Sequence, residues 1–142
     1  MSDHHQFLAR QCAVNRLAFG PGERRLGVLD HILQEVEEVK KAENSEARAG
    51  EWIDLVLLSQ DGMLRATREM LREGMAEYAD HPMIVRDGVV VGRFGEPTAD
   101  YVAEVALAML TGKRDKNELR EWDDWRAVGE NAAVNHKEGS HD

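Results

Sequence analysis

The chain has 142 residues, with 18 Lys and Arg against 27 Asp and Glu, a formal net charge of -9. That length allows one domain with a real core that needs no disulfide or metal staple. The acidic balance argues against a nucleic-acid polymer as partner, because phosphate-backbone affinity comes from clustered Lys and Arg. It leaves a small phosphate ligand open, because a metal ion can sit between protein carboxylates and phosphates. A single cysteine, Cys12, excludes an internal disulfide framework and a cysteine-rich zinc site. The opening MSDHHQFLAR lacks the apolar stretch of a signal peptide, and no apolar run approaches the length of a bilayer span. The expectation is a soluble, cytoplasmic protein with no membrane partner.

Gln6 to Phe19 carries apolar residues at helical spacing and predicts a first helix, broken by Phe19-Gly20-Pro21-Gly22. A second helix is expected from Glu23 to Glu43, with Leu26, Leu29, Leu33 and Val36 on one face, and Ser45 as the cap of the next. The third, Glu46 to Gly74, is the most apolar. Trp52, Ile53, Val56, Leu57, Met63 and Leu64 fill one broad arc, which places it at the centre of a bundle. Two β-branched runs flank Asp87-Gly88 and predict a β-hairpin over 83–94, inserted between helices, with a role in oligomer contacts or as a lid. Pro97 is expected near the first turn of a fourth helix, with Tyr101, Val102, Val105, Ala106, Met109 and Leu110 on its apolar face. Gly112 should weaken that helix before a last segment, Lys113 to Trp122, after which Trp122 and Trp125 close the chain onto the bundle. This gives one domain over 1–126 and a polar tail over 127–142. The histidines outside the helical stripes, His4, His5, His81, His136 and His141, are scattered and suggest no metal site.

Two short motifs carry chemistry. Glu35-Val36-Glu37-Glu38 and Glu51-Trp52-Ile53-Asp54 each place two carboxylates three residues apart, on adjacent turns of one helix face. At about 100° per residue, His31, Glu35 and Glu38 share one edge of the second helix, and Glu37 falls on the other side. The same count groups Glu51, Asp54, Leu58, Asp61 and Arg65 within about 80° on the third. Taken alone, the motifs fit either a solvated helix face or a metal site. Position favours the metal, because Glu51 and Asp54 lie within the most apolar helix, where uncompensated carboxylates are rare. If the two helices pack antiparallel, the stripes face each other, and their repulsion calls for a cation. Oxygen ligands favour Mg²⁺, with Mn²⁺ as a substitute. Lys113, Asn117 and Arg120, at i, i+4 and i+7, make a face suited either to phosphate oxygens or to a solvated basic helix end. Phe19 and Trp52 are expected in the core, with a stacking surface as the alternative for each.

Together these residues resemble the MazG-like all-α nucleoside triphosphate pyrophosphohydrolases, whose ExxE and ExxD pairs stand on adjacent helices. The match is closer to a subgroup of dATP/dGTP diphosphohydrolases of phages and bacteria. It rests on Phe19-Gly20-Pro21-Gly22-Glu23-Arg24, Leu26-Gly27-Val28-Leu29-Asp30-His31-Ile32, the two carboxylate motifs, Asp61-Gly62, and Lys113, Lys116-Asn117, Arg120, Trp122 and Asp124-Trp125-Arg126. It covers roughly 7–70 and 98–126. The resemblance implies a MazG-like bundle and Mg²⁺-dependent hydrolysis of a purine deoxynucleoside triphosphate, dGTP or dATP, to the monophosphate and pyrophosphate. Glu35, Glu38, Glu51 and Asp54 would hold the metal, with Glu35 or Glu38 taking the proton from water. Lys113, Asn117 and Arg120 would contact phosphates, within one subunit or across a subunit interface, with Arg24 and Asn15 as further phosphate or nucleoside contacts, and Asp61 fits three roles equally: a ligand, a base contact, or the partner of Arg65. It also implies a homodimer or homotetramer and, for a phage-encoded chain, nucleotide-pool remodelling in the host cytoplasm. A dUTP-directed or broad housecleaning diphosphatase, or a helical interaction protein without catalysis, are the competing expectations.

Overall fold

The computed structural model describes residues 2–137. The chain is mostly helical, with one small antiparallel sheet: α1 Asp3–Phe19, α2 Arg25–Lys41, α3 Ser45–Gly74, β1 Ile84–Arg86, β2 Val89–Arg93, β3 Glu96–Pro97 and α4 Ala99–Leu119. Short 3₁₀ turns follow α3, at Ala76–Tyr78, and α4, at Trp125–Ala127. Two compact units divide it, Met1–Ala106 and Leu107–Asp142, with the boundary inside α4. Among the described residues no helix is long and apolar enough to cross a membrane. His141 lies outside the described residues.

The helices start where local chemistry permits. Ser2 Oγ accepts from the His5 amide and opens α1. Asn44 Oδ1 accepts from the Ala47 amide at 2.8 Å, so Asn44 caps α3 and Ser45 is already helical, a correction of one residue. Thr98 Oγ1 accepts from the Tyr101 amide at 3.1 Å and starts α4, so Pro97 stands next to the first turn, as expected, as the last residue of β3. α4 runs unbroken through Gly112 and stops at Leu119. The expected last segment to Trp122 is therefore one with α4 and ends short of Arg120.

The hairpin forms where Asp-Gly predicts it. Asp87 and Gly88 have φ of 51° and 77°, the signature of a type I′ turn. A second turn of the same kind, Phe94-Gly95 with φ of 52° and 77°, adds the unforeseen β3 and makes a three-stranded meander. β1 and β2 pair Arg86 with Val89 and Val85 with Val90, then Ile84 with Gly92, leaving Val91 as a bulge. The meander is fastened to α3: Glu96 bonds Arg68 Nη2 and lies 2.8 Å from Arg72 Nε, while Val91 and Pro97 are buried.

The core of the first unit is built from Leu8, Ala9 and Cys12 of α1, Leu64 of α3, Val91 of β2, and Val102, Ala103 and Ala106 of α4. α2 runs antiparallel to α3, because Val28 packs on Gly62 while Glu35, two turns on, meets Asp54 and Glu51. Its apolar arc is wider than one neighbour covers. Val28 is buried against α3, but Leu26, Leu29 and Leu33 stay exposed, Leu33 to 66%. α3 is central only in its second half. Trp52, Ile53 and Val56 are also exposed, which corrects the expectation that this helix is enclosed throughout.

The buried part of α3 is unusually polar: Asp61, Arg65, Thr67 and Arg68. Arg65 Nε donates to both Asp61 oxygens at 3.1 Å. Its Nη1 donates to the carbonyls of Gly20 and Gly22 at 2.8 and 2.5 Å, and Nη2 to that of Asn15 at 3.2 Å. Arg68 Nη1 adds the Pro21 carbonyl at 3.3 Å. The break Phe19-Gly20-Pro21-Gly22 is thus held by guanidinium donors from α3. Of the three roles open to Asp61, the structure displays the partnership with Arg65. In the second unit, Trp122 meets His136 edge-on and Trp125 lies under Arg126 at 4.8 Å, but both tryptophans are exposed.

Removing one half of a buried ion pair strands the other charge. Asp61→Ala should therefore lower unfolding free energy by about 3–5 kcal/mol in urea titration. A loss below about 1 kcal/mol would contradict the anchoring role.

Candidate metal centre

Antiparallel packing of α2 on α3 brings the two carboxylate motifs together. Ligand oxygens of Glu35, Glu51 and Asp54 all lie within 4.8 Å of one another. Glu35 and Glu51 are half-buried and Asp54 is exposed. Spacing explains the choice: Glu51 and Asp54 occupy successive turns of α3, and Glu35 is the residue of α2 that shares the Val28 side facing it. Glu37 points elsewhere and pairs with Lys40 at 3.2 Å. Glu38 is exposed and stands outside the three-residue set, although its charge still acts on Glu35.

The cluster is electrostatically loaded. Glu35 has its pKa raised, first by removal from water, then by contact with the Glu51 carboxyl and by the charges of Glu51, Asp54 and Glu38. Glu35 Oε2 is buried and accepts no hydrogen bond. A buried acceptor without a donor, in a set of three carboxylates, matches what a hard divalent cation takes as ligands. Glu35, Glu51 and Asp54 could therefore hold a metal ion.

Beside the cluster is a cavity of about 470 Å³, within the range of small-molecule sites. Glu35 and Asp54 line it, together with Asn15, Arg24, His31 and Asp61. Five residues singled out in the sequence, Asn15, Arg24, Glu35, Asp54 and Asp61, thus converge on one cavity. Arg24 adopts a left-handed backbone, φ 49° and ψ 32°, just before α2, a conformation costing about 1 kcal/mol for a residue with a Cβ. Its guanidinium lies over Gly27, where a Cβ would come within 3.1 Å of Nη2, and stands 5.9 Å from the Phe19 ring centre. Phe19 is exposed and lines the cavity rather than entering the core, contrary to expectation; Trp52 is exposed as well.

His31, placed by the angular count on the same stripe as Glu35, lines the cavity as well; Gln11 also lines it and was not singled out. A signal existed for Gln11, since Gln11, Asn15 and Phe19 recur every four residues on one face of α1. Gln11 Nε2 donates to the Leu57 carbonyl at 2.8 Å, tying α1 to α3. Lys113, Asn117 and Arg120 belong to the second unit. Lys113 and Asn117 are exposed on α4, whereas Arg120 lies beyond its end and donates to Asn117 Oδ1 at 2.8 Å.

A raised Glu35 pKa means that the folded chain holds this proton more tightly than the unfolded chain. Without divalent metal, stability should fall as pH rises from the ordinary glutamate range, about 4.3, through the raised value. Glu35→Gln should flatten that slope in thermal melts taken in chelator. An unchanged slope would show that the three carboxylates do not interact. Compared with protein-family models, with curated proteins and with solved structures, the chain matches none.

Proposed function

We propose that the chain is a Mg²⁺-dependent nucleoside triphosphate pyrophosphohydrolase of MazG-like type, converting a purine deoxynucleoside triphosphate, dGTP or dATP, to the monophosphate and pyrophosphate. One observation carries this: Glu35, Glu51 and Asp54 converge, and Glu35 and Asp54 of that cluster line a cavity large enough for a nucleotide. An acidic wall repels a polyphosphate, so the substrate that fits it arrives with divalent cations. Bound there, the metal would polarise a phosphate and make water acidic enough to attack phosphorus.

The chain's own residues supply the rest. Glu35, Glu51 and Asp54 are the ligands, with Glu38 one turn further along α2. Glu35, its pKa already displaced toward neutrality, and Glu38 are the candidates to take the proton of the attacking water. Arg24 and Asn15 offer polar groups to phosphate or sugar inside the cavity, and the Phe19 ring offers a flat apolar surface. In the same proposal Lys113, Asn117 and Arg120 bind phosphate oxygens. The exposed Leu26, Leu29, Leu33, Trp52, Ile53 and Val56 support assembly of the chain as a homodimer or homotetramer. Light scattering should then give a mass at least twice that of one chain, and a monomer would remove that part of the proposal.

The test is a panel of deoxynucleoside and nucleoside triphosphates with Mg²⁺, with products separated by chromatography. The expected result is dGMP or dAMP plus pyrophosphate, with a loss of at least about 100-fold in Glu35→Gln. Preference for dUTP would assign a housecleaning diphosphatase instead. Release of orthophosphate, or no turnover of any nucleotide, would overturn the proposal.

A further inference from the structure

A second cavity, separate from the carboxylate cluster, lies behind the Phe19-Gly20-Pro21-Gly22 break. Its volume is about 10 Å³, room for a single water-sized particle. Arg16, Arg65, Arg68, Cys12 and Asp61 line it. Arg65 and Arg68 are deeply buried, their side chains 4% and 9% exposed. Two donors at this site are orphaned: Arg16 Nε and Arg68 Nε are buried and have no hydrogen-bond partner. A buried guanidinium N–H without an acceptor is costly, and two beside one cavity need a common explanation.

Charge points the same way. Asp61 neutralises Arg65, and Glu96 is bonded to Arg68. Arg16 has no carboxylate partner there, and burial together with the nearby Arg68 charge lowers its pKa. The three guanidiniums thus outnumber Asp61 and Glu96, and Glu96 is shared with Arg72 as well. The cavity is too small for phosphate or a carboxylic acid, and the Asp61, Pro21 and Gly22 oxygens at its edge are already engaged by guanidinium donors, so three guanidiniums and no free acceptor face it and disfavour a cation.

We propose that this cavity holds one monatomic anion, chloride in the cell, between Arg16 Nε and Arg68 Nε. It would supply the missing acceptor, cancel the unpaired charge and fix the guanidiniums that hold the loop carbonyls of residues 20–22. The proposal is independent of the metal centre and of any activity.

The experiment compares thermal melts of the full chain in sodium chloride and in sodium gluconate at equal ionic strength. Gluconate is too large for the cavity. With chloride at tenfold its dissociation constant, Tm should rise by about 3–5 °C over gluconate and saturate. Bromide should act like chloride, and Arg16→Met should erase the difference. If Arg16→Met does not fold, chloride-35 NMR of the native chain should show saturable line broadening that bromide competes away, and its absence would equally overturn the proposal. Equal melting in the two salts for the native chain would mean that water alone fills the cavity. A difference that persists in the Arg16 variant would be a general salt effect. Either result overturns the proposal.

Discussion

Arg65 is buried within α3 and must place its guanidinium donors on acceptors. It does so on the Asp61 carboxylate and on the carbonyls of Asn15, Gly20 and Gly22. These acceptors belong to the end of α1 and to the break that follows it, so one side chain fixes where the chain leaves α1. The break leads directly into Arg24, whose left-handed backbone turns the chain into α2. From that start, Val28 lands on Gly62 and Glu35 arrives opposite Glu51 and Asp54. Without the Arg65 hub, nothing in the local propensity of a Gly-Pro-Gly loop would fix that register.

The arrangement gathers like charges instead of dispersing them. Three carboxylates share a space less than 5 Å across, and Glu35 responds by holding its proton to higher pH. Chains that only need a solvated helix face have room to separate such groups, as Glu37 does by pairing with Lys40. Here the cluster is retained beside a cavity, and the nearby cations are engaged elsewhere: Arg24 over the Phe19 ring, Arg65 on the loop, Arg68 and Arg72 on Glu96 of the meander. A cation from solution is the compensation that this geometry leaves available.

Much of this was legible in the sequence. Helical periodicity located all four helices, and Asp87-Gly88 located the hairpin, because both signals are local. The i,i+3 carboxylates and the angular count brought Glu35, Glu51 and Asp54 together, since antiparallel packing of adjacent helices is the simplest use of a short connection. What failed was burial. Leu33 and Trp52 carry the apolarity of core residues yet stay exposed, because periodicity reports which residues share a face and not which neighbour covers it. The Phe94-Gly95 turn was missed because Phe is a poor predictor of positive φ, and Arg24 because a left-handed Arg has no sequence signal. The buried arginine hub was hidden for a similar reason: Arg65 and Arg68 look like surface residues until the carbonyls they serve are in place.

Glu35, Glu51 and Asp54 could hold one divalent cation between them. Electron paramagnetic resonance of Mn²⁺ tests it without reference to any substrate, since the free-ion signal disappears as the metal binds. The account predicts saturable loss of the signal in the native chain, reversed by excess Mg²⁺, and binding weakened at least about tenfold in Glu35→Gln and in Asp54→Asn alike. A native chain that leaves the free Mn²⁺ signal unchanged, or one whose binding survives both substitutions, would contradict it.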